Sequence, residues 1–291
     1  MKNKRFYVVA LLMSVVLAGQ VFARDIEKKV EKTFDVKKGG TLILNTDMGS
    51  VKVSSHNAAE VRIKVYLTAR TDNKKKAQKW FDDFELTFRQ NGSDVEVHGE
   101  RHKDWFEWGH HLSVHFEFVV PLEYNVDLKT AGGSISVADL DGKANVKTSG
   151  GSINLGKIGA SVVAKTSGGS ISVDGVDGDL IAKTSGGFLD LQNVNGELEA
   201  HTSGGSIKAD IAKQIHDDVE LTTSGGSITL SVPSDFKADV DASTSGGRVR
   251  CELPITVRGD IGRNSLRGRI NGGGKLVRLH TSGGSIRIVE R

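Results

Sequence analysis

Histidine is the residue type whose clustering most strongly suggests chemistry in this sequence. Five of the nine histidines lie within 18 residues, interleaved with Trp105, Phe106 and Trp108. Imidazole binds zinc and copper, so the cluster is a candidate metal site. Its members are His98, His102, His110, His111 and His115. The sequence has no HExxH motif or paired cysteines, so these residues also fit the polar face of a strand.

Aspartates are the second group with chemical potential. A polysaccharide lyase or hydrolase needs carboxylates grouped in one cleft, and Asp174, Asp177, Asp179 and Asp190 are the candidates. The first three lie beside a glycine, in a context where aspartate is a common turn former. We therefore expect turn residues, a protein that is not an enzyme, and no cofactor. The single cysteine, Cys251, alternates with apolar residues, which predicts a buried hydrophobe rather than a reactive thiol.

The first 23 residues predict export. A basic segment at 2–5 precedes an apolar stretch at 6–19, and residues 21–23 form a small-x-small cleavage site. Gln20 stands where a lipoprotein signal would have cysteine. We expect a periplasmic or extracellular protein, not a lipoprotein, with no membrane insertion after cleavage. The rest of the chain has as many basic as acidic side chains, which argues against a nucleic-acid partner.

These candidate groups must be positioned by a repeat that organises most of the chain. The chain has 35 glycines but only three prolines, which indicates an ordered backbone with glycine at fixed places. The motif TSGGSI or a close variant recurs at intervals of 18 and then 21 residues. Its eight copies begin at Thr130, Thr148, Thr166, Thr184, Thr202, Thr223, Thr244 and Thr281. We expect a degenerate ninth copy at Ser265–Ile270, in the longer gap before Thr281.

Each repeat alternates apolar and polar residues between glycine bends, which is typical of short strands with one buried face. A single unit cannot bury that face, so the units must stack. The sequence therefore predicts an all-β fold, a β-solenoid (β-helix) of 18- to 21-residue coils. We expect the eight motif threonines to form a buried structural ladder, their hydroxyls pairing with backbone or with the next threonine.

The chain divides into a signal peptide (1–23), a β-rich N-terminal region (24–125) and the repeats (126–291). The N-terminal region contains one predicted helix near 72–84, capped by Thr71 or Asp72, and we expect it to close one end of the solenoid. The other end is expected to be an open C-terminal rung, available for end-to-end self-association. The extra residues of the longer coils, near 214–218 and 233–236, either form a functional surface or widen the core.

The repeats, together with FDVKKGGTLILNTDMGSVKV at residues 34–53, resemble the DUF4097 group of bacterial β-strand-repeat proteins, described as provisional adhesins and related to LiaG-like proteins. The resemblance implies a cell-envelope β-solenoid without catalytic residues. We expect an adhesin or surface-binding module that contacts a glycan or an envelope protein through its repetitive surface. An envelope scaffold or stress-response component with a protein partner is the alternative.

Overall fold

A computed structural model describes residues 25–101, 112–257 and 262–291 of the chain. In these residues it contains 25 strands and one helix, which confirms the expected all-β class. The elements are β1 (Ile26–Asp35), β2 (Thr41–Thr46), β3 (Ser50–His56), β4 (Glu60–Ala69), α1 (Lys74–Asp82), β5 (Phe84–Asn91), β6 (Asp94–Arg101), β7 (Leu112–Pro121), β8 (Asn125–Thr130), β9 (Ile135–Val137), β10 (Ala144–Thr148), β11 (Ile153–Ile158), β12 (Val162–Lys165), β13 (Ile171–Val176), β14 (Leu180–Lys183), β15 (Leu189–Val194), β16 (Leu198–Thr202), β17 (Ile207–Ile211), β18 (Val219–Thr223), β19 (Ile228–Val232), β20 (Ala238–Thr244), β21 (Val249–Cys251), β22 (Ile255–Val257), β23 (Ser265–Ile270), β24 (Lys275–Thr281) and β25 (Ile286–Glu290).

The strands form two long sheets that enclose one core. The first sheet has 12 strands in the order β1-β4-β7-β3-β9-β11-β13-β15-β17-β19-β25-β21. The second has 13 strands in the order β22-β23-β20-β24-β18-β16-β14-β12-β10-β8-β2-β6-β5. Each repeat contributes one strand to each sheet, joined by the glycine bend. Consecutive coils pair in parallel, residue on equivalent residue, as in the partners Ile153↔Ile171 and Val146↔Ala164. This is the predicted solenoid.

The core lies between the sheets and follows from the alternation in each strand. In the first sheet the inward positions carry large residues, such as Ile171 and Val173. In the second sheet the facing strands carry Ala164, Ala182 and Ala200 at one inward position. Pairing small residues in one sheet with larger ones in the other keeps the cross-section filled from coil to coil. The longer coils add core volume, because Ile215 and Phe236 in their extra residues are buried.

The spatial order of the last coils differs from their order in the chain. β24 pairs with β18 on one side and β20 on the other, and β25 lies between β19 and β21. The Thr281 repeat is therefore inserted between the Thr223 and Thr244 coils. The expectation of an open C-terminal rung is wrong, since the last repeat has neighbours on both sides. The terminal coil is instead that of Thr244.

The expected ninth copy is also wrong. Ser265–Ile270 forms β23, which runs antiparallel to β20 and pairs with β22. It covers the edge of the terminal coil in the 13-stranded sheet. Leu266 and Ile270 point inward and are buried, so the segment has the alternation of a coil strand while pairing in the opposite direction. Alternation reports which face is buried and not the direction of pairing, which explains the error.

At the other end, β2 and β3 form a first coil that stacks on β8 and β9. Beyond it, β6 and β7 continue both sheets in parallel, and β5, β4 and β1 add antiparallel strands. Helix α1 packs there with Ala77, Trp80 and Phe81 buried in the common core.

The helix confirms the expected position, but its cap is different. The Asn73 side chain accepts the backbone N–H groups of Lys75 and Lys76, at 3.0 and 3.2 Å. Thr71 instead accepts the N–H of Asn73. Among the residues the structure describes, no helix is long and apolar enough to cross a membrane.

Candidate functional site

The motif threonines form a continuous internal ladder. All eight are buried, and each hydroxyl donates to the carbonyl of a glycine in the preceding coil of the stack, at 2.7–3.0 Å. The acceptor for Thr281 is Gly226, and the acceptor for Thr244 is Gly284, which follows the spatial order of the coils. The hydroxyls therefore pair with backbone carbonyls rather than with the next threonine.

A ninth threonine begins this ladder and lies outside the eight motif copies. Thr46 is buried in the first coil, where its hydroxyl donates to the Met48 carbonyl at 2.9 Å. The sequence signal for it is the segment Gly49-Ser50-Val51, which repeats the end of TSGGSI three residues after Thr46.

Replacing a ladder threonine should destabilise the protein. Thr202→Val keeps the shape of the side chain but leaves the buried Gly187 carbonyl without the hydroxyl that donates to it at 2.8 Å. An unpaired buried polar group costs about 1–3 kcal/mol, and we expect this loss in the free energy of unfolding measured by urea titration. Thr222→Val is the matched control, because Thr222 lies on the outer face. Equal stability of the two variants would contradict a structural role for the ladder.

The histidine cluster is divided by the fold. His98 lies on β6 in the 13-stranded sheet, with its ring 3.9 Å from Glu96. His115 lies on β7 in the 12-stranded sheet, where its Nδ1 is 2.7 Å from the Ser50 hydroxyl. His102, His110 and His111 lie outside the described residues. In the described ranges no three His, Cys, Asp or Glu side chains are placed to hold a metal ion.

Two of the candidate aspartates join neighbouring coils at the bends. The Asp177 carboxylate accepts the side-chain N–H of Asn195 at 2.7 Å, and Asp179 accepts the backbone N–H of Glu197 at 3.2 Å. Asp190 contacts the Gln192 amide. These carboxylates are engaged in hydrogen bonds between or within coils, as aspartates in turns commonly are.

Cys251 lies half-buried at the inner side of β21, with its sulfur 3.6 Å from the Leu253 carbonyl. Burial raises the pKa of this thiol above its usual value. A raised thiol pKa reduces the thiolate fraction at neutral pH, so the position is unsuited to a nucleophile.

The outer face of the 13-stranded sheet carries a feature that the sequence analysis missed. The residue before the motif threonine is lysine in four consecutive coils, and parallel pairing stacks these lysines directly on one another. We call this the lysine column: Lys129, Lys147, Lys165 and Lys183. His201 continues it on the next coil. The signal was available as lysine at the same place in an 18-residue period.

The surroundings leave most of this column without a counter-ion. Lys183 pairs with Glu199 at 2.6 Å. In the part of the chain that the structure describes, Lys129, Lys147 and Lys165 have no carboxylate oxygen within 4.0 Å. The neighbouring outward column opposite Lys147 and Lys165 is uncharged, with Asn145, Val163 and Ile181. The lysine column is thus a narrow cationic strip along the rod.

A comparison with curated proteins finds no match. Among solved structures, the chain is similar to a candidate adhesin from Bacteroides fragilis, with 9% identity, coverage of 91% of this chain and 97% of the other, and a TM-score of 0.44. A candidate adhesin from Parabacteroides merdae gives 10%, 90% and 96%, and 0.36. A candidate cell-adhesion protein from Clostridium sporogenes gives 14%, 91% and 100%, and 0.26.

The family model for Toastrack DUF4097 matches residues 40–289, from the first coil almost to the end of β25. The match includes every threonine of the ladder and all four members of the lysine column. By this match the chain belongs to the Toastrack DUF4097 family, which confirms the resemblance seen in the repeats.

Proposed function

We propose that the protein is an exported, non-catalytic rod of the cell envelope that binds an anionic polymer, such as an acidic glycan, along the lysine column. The proposal rests on four lysines stacked on four consecutive coils. Adjacent strands lie about 4.8 Å apart, so an extended polymer parallel to the rod axis meets an ammonium group at each coil. Weak contacts repeated along one polymer add to high avidity.

Electrostatics favours such a ligand. Stacked ammonium groups repel one another, by about 1 kcal/mol for a pair 4 Å apart in water and more near a protein surface. Lys147 and Lys165 have no carboxylate within ion-pair distance in the described residues, so the protein itself relieves little of this repulsion. A ligand with regularly spaced negative charges relieves it and gains affinity that falls as salt is added.

Export and the absence of catalysis are parts of this proposal with separate support. Export is supported by the basic, apolar and small-x-small pattern of residues 1–23. The absence of catalysis is supported by Asp177 and Asp179, whose carboxylates are used as hydrogen-bond acceptors between coils.

A glycan array that contains neutral and acidic glycans tests the proposal. We expect the protein to bind acidic glycans at low ionic strength, and the Lys147→Gln/Lys165→Gln double variant to bind at least about tenfold more weakly. The matched control is Lys52→Gln/Lys208→Gln, which removes the same charge from the 12-stranded sheet. Equal loss in both variants, or binding to neutral glycans alone, would contradict the proposal.

A pull-down from envelope extract separates this function from the alternatives. Capture of one protein partner by both the wild type and the Lys147→Gln/Lys165→Gln variant, without glycan binding, would replace the proposal with an envelope scaffold. Turnover of an acidic glycan during incubation would contradict the non-catalytic part of the proposal.

A further inference from the structure

Three arginines meet on the outer face of the 12-stranded sheet, at the end of the rod opposite helix α1. Arg250 on β21 and Arg287 on β25 are direct register partners. Arg248 lies two residues before Arg250, and its backbone N–H donates to the hydroxyl of Ser285. All three side chains are exposed. We propose that this arginine cluster, formed by Arg248, Arg250 and Arg287, is a binding site for a phosphate group.

The lack of counter-ions distinguishes the cluster from the other arginines at this end. Arg267 pairs with Asp241 at 3.1 Å, Arg269 with Asp239 at 3.2 Å and Arg291 with Asp210 at 3.2 Å. Within the described ranges, the cluster arginines have no carboxylate oxygen within 4.0 Å. Glu252, two residues after Arg250 in the chain, makes no ion pair with them. Three adjacent guanidinium groups therefore concentrate positive potential that an external anion can neutralise.

The geometry suits a small tetrahedral anion. The three arginines and Ser285 line a shallow depression of about 90 Å³. A single water needs only about 10–15 Å³ by the same kind of measure, so a phosphate group and part of its hydration fit there. The Ser285 oxygen accepts from Arg248 N–H at 3.2 Å, which leaves the hydroxyl proton to donate to a ligand.

Arginine favours phosphate over a simple halide or a lone carboxylate. Each guanidinium presents a planar fork of N–H donors that binds two oxygens of an oxyanion at once. Several such forks directed at one place match a group with three or four oxygens better than a carboxylate with two. A phosphate can be carried by a lipid headgroup or by a soluble or glycan-linked phosphate ester, and the arginine cluster recognises the same chemistry in both.

The site is independent of the proposed polymer-binding surface. The lysine column lies on the 13-stranded sheet, and the arginine cluster lies on the 12-stranded sheet at the terminal coil. Failure of one proposal therefore leaves the other intact, because each has its own variants.

Titration with inorganic phosphate, followed by ³¹P NMR at low ionic strength, tests the site. We expect saturable binding by the wild type and at least about tenfold weaker binding by Arg250→Gln/Arg287→Gln. The control Arg267→Gln/Arg278→Gln removes two exposed arginines from the 13-stranded sheet near the same end, and should bind like the wild type. Circular dichroism and the melting temperature verify that both variants are folded.

Vesicle flotation then distinguishes the sources of the phosphate. Flotation of the wild type, but not of Arg250→Gln/Arg287→Gln, with phosphatidylcholine vesicles that contain phosphatidylglycerol supports the site and assigns a lipid headgroup. Phosphate binding without flotation also supports it and assigns a soluble or glycan-linked phosphate. No saturable phosphate binding, or equal weakening in the cluster and control variants, would overturn the proposal.

Discussion

Gly151→Ala is expected to destabilise the protein severely, whereas Gly150→Ala, one residue earlier, should change its stability little. A Cβ atom at Gly151 would lie within 3.0 Å of the backbone of Gly133 and Ser134 in the coil below. At Gly150 the same atom would meet nothing within 4 Å. The two substitutions are chemically identical and adjacent, so the comparison isolates the close approach of two coils.

The clash cannot be relieved locally. The atoms that the new methyl group would meet belong to a backbone whose coils are held about 4.8 Å apart by parallel hydrogen bonds. Thr148 also donates to the Gly133 carbonyl at 2.8 Å, so moving that carbonyl breaks a ladder bond. The second motif glycine meets the backbone of the neighbouring coil in the same way in all eight copies: Gly133, Gly151, Gly169, Gly187, Gly205, Gly226, Gly247 and Gly284.

Thermal and urea unfolding measure the difference. We expect Gly151→Ala to lose about 3 kcal/mol or more, because overpacking against backbone adds to a lost buried hydrogen bond. In a protein of this size that corresponds to a fall of about 6–12 °C in melting temperature. Gly150→Ala should stay within about 1 kcal/mol of the wild type, since a compatible Gly→Ala change acts mainly on the unfolded chain. Similar stabilities would show that the coils can separate at this bend.

This glycine column explains why the fold was predictable from the sequence. The bend needs a residue without a Cβ and a buried hydroxyl three positions earlier, so Gly151 and Thr148 recur together in every copy. Alternation of apolar residues then defines the inward face of each strand. The buried threonines required no long-range information, because each unit repeats the same local requirements. The helix followed from Trp80 and Phe81, while its cap was displaced by one residue because Thr71, Asp72 and Asn73 are all competent N-caps.

The order of the coils could not be predicted in this way. Each repeat presents nearly the same edge above and below, so the Thr281 coil fits against the Thr223 coil as well as the Thr244 coil does. Spacing along the chain carries no information about which of two equivalent edges is used, and pairing between distant segments decides the order. The antiparallel β23 was missed for the same reason, because Leu266 and Ile270 alternate as they would in a parallel coil.

The candidate binding groups were predictable to different degrees. The lysine column follows from an 18-residue period, so Lys147 and Lys165 could have been placed together from the sequence. The arginine cluster depends on the inserted coil, because Arg287 lies beside Arg250 only when β25 pairs with β21. With coils stacked in chain order, Arg250 would instead lie beside Thr229.

Paired cysteines should form a disulfide between the Thr223 and Thr281 coils but not between the Thr223 and Thr244 coils. Glu220 on β18 and Arg278 on β24 are direct register partners, and Asp241 on β20 is the partner of Arg278 on its other side. Glu220 and Arg278 therefore lie one strand spacing apart, about 4.8 Å, within the usual Cα separation of a disulfide. Glu220 and Asp241 lie two spacings apart, about 10 Å, which is too far to bridge.

In a Cys251→Ser background, we expect Glu220→Cys/Arg278→Cys to oxidise almost completely and Glu220→Cys/Asp241→Cys to keep both thiols. Mild oxidation followed by a count of free thiols, with and without reductant, measures the difference. All three positions are outward and charged, so the double variants should fold alike. The reverse result would mean that the coils stack in chain order, which would separate Arg287 from Arg250 and remove the basis of the arginine cluster. The cross-linking pattern therefore tests both the topology and the phosphate site that depends on it.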